Sequence, residues 1–124
     1  MTALLLAYRD IATARDFLVT VLGFQEEWSV TDEAGHVERS HVRLGDTVLM
    51  LDRPGSHDVR NPHDVGGVTH LIVITVDDVD EHWQRASAAG ADLRERPVDR
   101  PWGREYDVTD REGYLFSFIQ QPRT

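Results

Sequence analysis

Cysteine is missing altogether from this 124-residue chain, which excludes a disulfide framework, a thiol nucleophile and a thiolate metal site. Positive charge is scarce: 13 lysines and arginines face 22 aspartates and glutamates, giving a formal net charge of −9. A nucleic acid needs a basic face for its phosphates, so it is not an expected partner. Long hydrophobic runs are also absent. The stretch ALLLA near the start is too short to span a membrane or to serve as a signal core, and it reads as a buried strand. A cytoplasmic location is the expectation. What remains is ordinary for one globular domain, with 40% hydrophobic and 28% charged residues.

The chain is written twice. Asp10 and Asp78 stand 68 residues apart, and each precedes a β-branched aliphatic that opens a helix-like pattern. At the same offset of 68, Arg43-Leu44-Gly45 falls on Arg111-Glu112-Gly113 and Pro54 on Pro122, with no insertion required. ALLLAY (3–8) and LIVITV (71–76) read as buried strands. Asp10 caps a helix whose apolar face holds Ile11, Ala14, Phe17, Leu18, Val21 and Leu22. Asp78 with Glu81 resembles a capping box, and Val79, Trp83 and Ala86 form the matching face. Gly23 and Gly90 mark the helix ends. Strands are expected near 24–31, 36–44 and 46–53, then 92–98, 104–110 and 114–121. Pro and Gly punctuate 54–67, which reads as a linker. The expected organisation is one domain of two βαβββ modules, 1–53 and 68–124.

Side-chain alternation divides these strands into two faces. One set, Ser40, Val42, Val48 and Met50 with Tyr106, Val108, Phe116 and Phe118, is expected to meet the helices. The other parity sends Arg39, His41, Glu105, Asp107, Thr109 and Ser117 toward a cleft. Trp102 sits in a loop before a strand, where a planar ligand could stack on it and a cation could meet its ring face. Trp28 and Trp83 are expected in the core, and His57, His63 and His82 in solvent.

Three stretches carry a family resemblance: YRDIATARDFLVTVLGF, THLIVITVDDVDEHW and PWGREYDVTDREGYLFSF. In this order they resemble the vicinal oxygen chelate superfamily of glyoxalase I, extradiol dioxygenases and bleomycin resistance proteins. The resemblance covers essentially the whole chain. It implies an α+β fold of two tandem βαβββ modules, a curved mixed sheet around a cleft with helices on the convex side, and a homodimer. In metal-dependent members the ligands lie on the first and last strands of each module. Carried over by the offset of 68, those positions are Thr2, Leu49, His70 and Ser117. Only His70 is a good ligand, and a catalytic divalent site needs three protein donors. No metal, cofactor or catalytic set is therefore expected, and His70 joins the ligand-contacting residues. PWGRE (101–105) is similar to a segment of bleomycin resistance proteins whose Trp lines a groove at the dimer interface.

The resemblance implies a metal-free protein that sequesters a small molecule, an aromatic or cationic natural product, in the manner of antibiotic resistance. The competing reading is an enzyme of the same superfamily. It would rebuild a metal site on His70 with His41 or Glu38, or use Glu105 and Asp107 as acid and base without metal.

Overall fold

ALLLA forms the interior of β1 (Thr2–Ala7) in the computed structural model, which describes residues 1–122. Asp10 then turns the chain into α1 (Ile11–Thr20), its carboxylate accepting the Thr13 N–H at 3.0 Å. The first module closes with β2 (Gln25–Thr31), β3 (Val37–Leu44) and β4 (Thr47–Asp52). The linker is not bare loop: it holds a 3₁₀ turn at Ser56–Asp58 and a short helix, α2 (Pro62–Val65). The second module runs β5 (Ile72–Thr75), α3 (Val79–Ala88), β6 (Val98–Arg100), β7 (Gly103–Thr109) and β8 (Leu115–Gln120). Asp78 caps α3 by accepting the Glu81 N–H at 3.0 Å. The strand expected over 92–98 shrinks to Val98–Arg100. Charged residues crowd Asp92–Arg96 and Pro97 has no N–H to give a ladder, so pairing begins only beyond them. No described helix is long and apolar enough to cross a membrane.

Each module forms a four-stranded mixed sheet, ordered β1-β4-β3-β2 and β5-β8-β7-β6, with the first pair parallel and the others antiparallel. Both sheets bury one face against the helices in a shared core, where Leu6, Leu18, Leu22, Leu49 and Leu51 join Ile74, Val79, Phe116 and Phe118.

Strand pairing corrects the expected faces of the first module. Ser40 pairs with Leu51 and Val42 with Leu49, so Leu49 and Leu51 face the helix while Val48 and Met50 face away with His41. In the second module Tyr106 pairs with Phe118 and Val108 with Phe116, and all four are buried as expected. The uniform offset therefore fails inside the modules. Leu4 neighbours Leu49 just as Ile72 neighbours Phe116, so a spacing of 68 in the first strands becomes 67 in the last. One residue reverses every side chain on a strand. Met50, not Leu49, is thus the counterpart of Ser117.

The β7–β8 turn fastens the two modules together. Tyr8 donates its hydroxyl to Asp110 at 2.5 Å, and the Tyr114 hydroxyl accepts the Ala7 N–H at 2.8 Å. Glu112 accepts the backbone N–H groups of Arg9 at 2.7 Å and Asp10 at 3.1 Å. Fully buried Asn61 adds bonds to the Ala7 carbonyl at 2.9 Å and to Glu112 at 2.8 Å. Gly113, at φ 96°, lets the turn pass where a Cβ would stand 3.2 Å from Pro62.

His82 is a second fastener. Expected in solvent, it instead donates Nε2–H to the Leu22 carbonyl at 2.7 Å and accepts the Tyr106 hydroxyl at Nδ1 at 2.6 Å. Its ring lies 4.1 Å from that of Phe118. Burial holds its pKa below the usual histidine value, consistent with a neutral ring bonded at both nitrogens.

Burial raises the Asp110 carboxyl above its ordinary pKa, while the Tyr8 hydrogen bond opposes that rise. The folded state therefore binds a proton more readily than the unfolded state, and this group's contribution to stability falls as pH rises above about 4. Tyr8→Phe is expected to cost about 1–3 kcal/mol at pH 7, because a partly buried carboxylate loses one of its donors. The cost should be smaller at pH 4, where Asp110 is closer to neutral in both states. Urea unfolding at the two pH values checks this; equal losses would contradict it.

Candidate ligand-binding site

The sheet faces turned away from the helices carry the polar and aromatic residues available to a ligand. On the first sheet a row runs across the strands from Trp28 through His41 and Met50 to Leu5, set by the pairs Trp28–His41, His41–Met50 and Leu5–Met50. The Trp28 ring lies 3.9 Å from His41 and is 42% exposed, so it is a surface platform rather than the expected core residue. A register shift between Glu26 and Trp28 is the cause. Glu26 pairs with Val42 on the helix side, one extra residue intervenes, and Trp28 emerges on the other face. Trp83 packs partly buried against the core, donating its indole N–H to the Glu95 carbonyl at 2.9 Å.

Next to that row, Arg39 grips Asp52 through Nε at 3.2 Å and Nη2 at 2.6 Å. Burial alone would raise the Asp52 carboxyl, but Arg39, the Arg53 N–H and the Ser56 hydroxyl outweigh it and hold the pKa low. The pair borders an open groove of about 720 Å³ with Val30, Glu38 and Arg53. The pKa of His41 is lowered by burial and by Arg39. Its Nε2 is enclosed without a protein hydrogen-bond partner.

The second sheet gathers a different group around Glu105. One of its carboxylate oxygens receives the Trp102 indole N–H at 3.3 Å and the Ser117 hydroxyl at 3.4 Å. The other lies 3.4 Å from Arg100 Nε. The Trp102 ring stays 57% exposed in the β6–β7 turn. Gly103 makes that turn possible: at φ 147° a Cβ there would stand 2.5 Å from the Gln120 carbonyl oxygen. Asp107 and Thr109 follow Glu105 on the same face, both exposed. With Arg94, Arg96, Val98 and Arg100, these three line a groove of about 430 Å³.

Of the residues expected in one cleft, Trp102, Glu105 and Ser117 are in contact, with Asp107 and Thr109 beside them. Arg39 and His41 form a separate group on the first sheet. His70 joins neither group. It stops two residues short of β5, with its ring 6.2 Å from Tyr114, in a groove shared with Leu5, Arg60 and Pro62 at the junction of the modules. The sequence reading missed Arg100, Asp52 and the exposure of Trp28. The bulge that decides the face of Trp28 belongs to the β2–β3 pair and not to either strand alone.

The positions carried over for a metal do not suit one. Leu49 is buried against the helix, Ser117 is occupied with Glu105, and Thr2 begins an edge strand. Among the described residues no three His, Cys, Asp or Glu side chains converge on a common point. His41, tilted against Trp28, and His70, beside Tyr114, lie in separate settings. The donor set does not fit a divalent cation. In the first group Ser56 Oγ lies 3.1 Å from His57 Nδ1, but that hydroxyl donates to Asp52 at 2.9 Å.

Comparison with known proteins agrees with this architecture. A protein of Mycobacterium bovis is 33% identical over 119 residues, covering 92% of this chain and 78% of its own. TioX from Micromonospora superposes with a TM-score of 0.78 at 32% identity, over 98% of both chains. TnmS3, an antibiotic binding protein from Streptomyces, shares the fold with a TM-score of 0.75 at 22% identity, over 97% of this chain and 93% of its own. The family model for the glyoxalase/bleomycin resistance protein/dioxygenase superfamily matches residues 1–118, and the chain belongs to that superfamily.

Proposed function

We propose that this protein binds and sequesters a small aromatic or cationic natural product, without metal and without chemical conversion, as a homodimer. The observation that carries the proposal is the pair of half-exposed indoles, Trp28 and Trp102, each on an open sheet face or its rim and each beside polar side chains. Packing alone would bury such rings, whereas exposed ring faces beside fixed polar groups suit a planar ligand. That TnmS3, which shares the fold, is an antibiotic binding protein supports the same reading.

The dimer is part of the proposal because exposed Leu71 and Val73 flank the unpaired edge of β5, and Val98 lies on the edge strand β6. Apolar edges of this kind favour coverage by a second chain. Sedimentation at micromolar concentration should show a species of twice the chain mass. A 14.1 kDa species alone would refute the dimer.

Titration with planar aromatic antibiotics should quench part of the tryptophan fluorescence. Trp102→Ala should weaken binding by about 1–3 kcal/mol while leaving the unfolding midpoint nearly unchanged. Trp28→Ala, removing a half-exposed ring, should also leave stability within about 1 kcal/mol of the parent. Unchanged affinity in both variants would reject sequestration on these platforms.

A chelator should leave the melting temperature unaltered, because Thr2, Ser117 and its structural counterpart Met50 are poor donors to a divalent cation. A loss of several degrees would instead indicate a bound ion contributing to folding, and would favour an enzyme.

A further inference from the structure

The Glu105 carboxylate is held by long contacts. Its three side-chain partners approach at 3.3 Å from Trp102, 3.4 Å from Ser117 and 3.4 Å from Arg100 Nε. Charge-assisted hydrogen bonds ordinarily close to about 2.7–2.9 Å. Trp102 and Ser117 fix the direction of the carboxylate. Arg100 supplies its neutralising charge from β6, an exposed edge strand of three residues, through a side chain that is itself half exposed. A long pair on such a strand is readily given up.

The geometry points to Arg100 as an internal stand-in for the ligand: a guanidinium latch that rests on Glu105 in the free protein and is displaced by a ligand's own cation. The inference rests on the sequestration reading and specifies its ligand class, a planar ring bearing an amine, amidine or guanidine at its edge. The ring would lie on the open Trp102 face, and the cation would reach the carboxylate that receives the indole N–H. Exposed Asp107, on the same face and lining the same groove, adds attraction for that charge. An anionic ligand fits less well. Of the three arginines lining the groove, Arg100 is paired with Glu105 and Arg96 lies over the Trp83 ring, 5.4 Å from its centroid.

Binding of proflavine, a planar cation, and of anthraquinone-2-sulfonate, a planar anion, tests the latch. Arg100→Gln should tighten proflavine binding by about 2–5-fold, the worth of releasing an exposed ion pair. Glu105→Gln should weaken it by roughly 10-fold or more, the loss expected for a hydrogen bond to a charged group. In the double variant the gain from Arg100→Gln should vanish, since both changes act on one pair. Arg94→Gln removes the same charge from the groove but from a residue that forms no ion pair with Glu105 among the described residues, so it measures the general electrostatic effect. Anthraquinone-2-sulfonate should bind no tighter to Arg100→Gln than to the parent. An Arg100→Gln gain no larger than that of Arg94→Gln, or one that persists with glutamine at 105, overturns the latch alone if binding still depends on Trp102. Proflavine binding that is absent, or indifferent to Trp102→Ala, overturns the stacking site and the latch together.

Discussion

The turn from Asp110 to Gly113 holds the first module's strand-to-helix junction, and much of the domain's geometry depends on that grip. Glu112 receives the N–H groups of Arg9 and Asp10, and Asp110 receives Tyr8, all across more than 100 residues of sequence. A carboxylate at the start of α1 also complements the partial positive charge of a helix N-terminus. Burying Asp110 costs free energy, but the turn's own N–H groups at Glu112 and Tyr114 share its charge at 3.0 and 2.9 Å. The modules are therefore joined by directional bonds as well as by the shared apolar core. His82 repeats the device at the far end of α1, tying α3 to the Leu22 carbonyl.

Those fasteners lie among the helices and strand ends, leaving the sheet faces free to carry polar chemistry. The two modules have used that freedom differently. Where the first sheet pairs His41 with Met50, the second pairs Asp107 with Ser117. The first face sets a tilted tryptophan–histidine pair beside the Arg39–Asp52 ion pair. The second is charged, built on a carboxylate with a tryptophan at its rim. Two modules of one topology thus present two chemically distinct surfaces.

The sequence discloses local signals well and long-range ones poorly. Asp10 and Asp78 announced their helices because capping involves only residues three apart. Tyr106, Val108, Phe116 and Phe118 announced the second core because their alternation is unbroken. The first module misled where a single residue changed the phase: the register shift after Glu26 turned Trp28 outward, and the 67-residue spacing of the last strands placed Met50 rather than Leu49 opposite His41. Such shifts are properties of a strand pair and leave little trace in either strand alone. His82 was misjudged for a related reason, since its partners, Leu22 and Tyr106, are distant in the chain. His70 followed the family spacing onto paper but stops short of the strand in space. Trp102 and Glu105 stand three residues apart, so their contact is set locally.

Gly103 sets a limit on how this surface can change over generations. Any side chain at that position would collide with the Gln120 carbonyl oxygen, so the pivot between β6 and β7 is closed to ordinary substitution. The bearing of the neighbouring indole is thereby inherited rather than tuned. Descendants that acquire new chemical preferences must do so by exchanging the groups around the ring, while the hinge beneath it stays fixed.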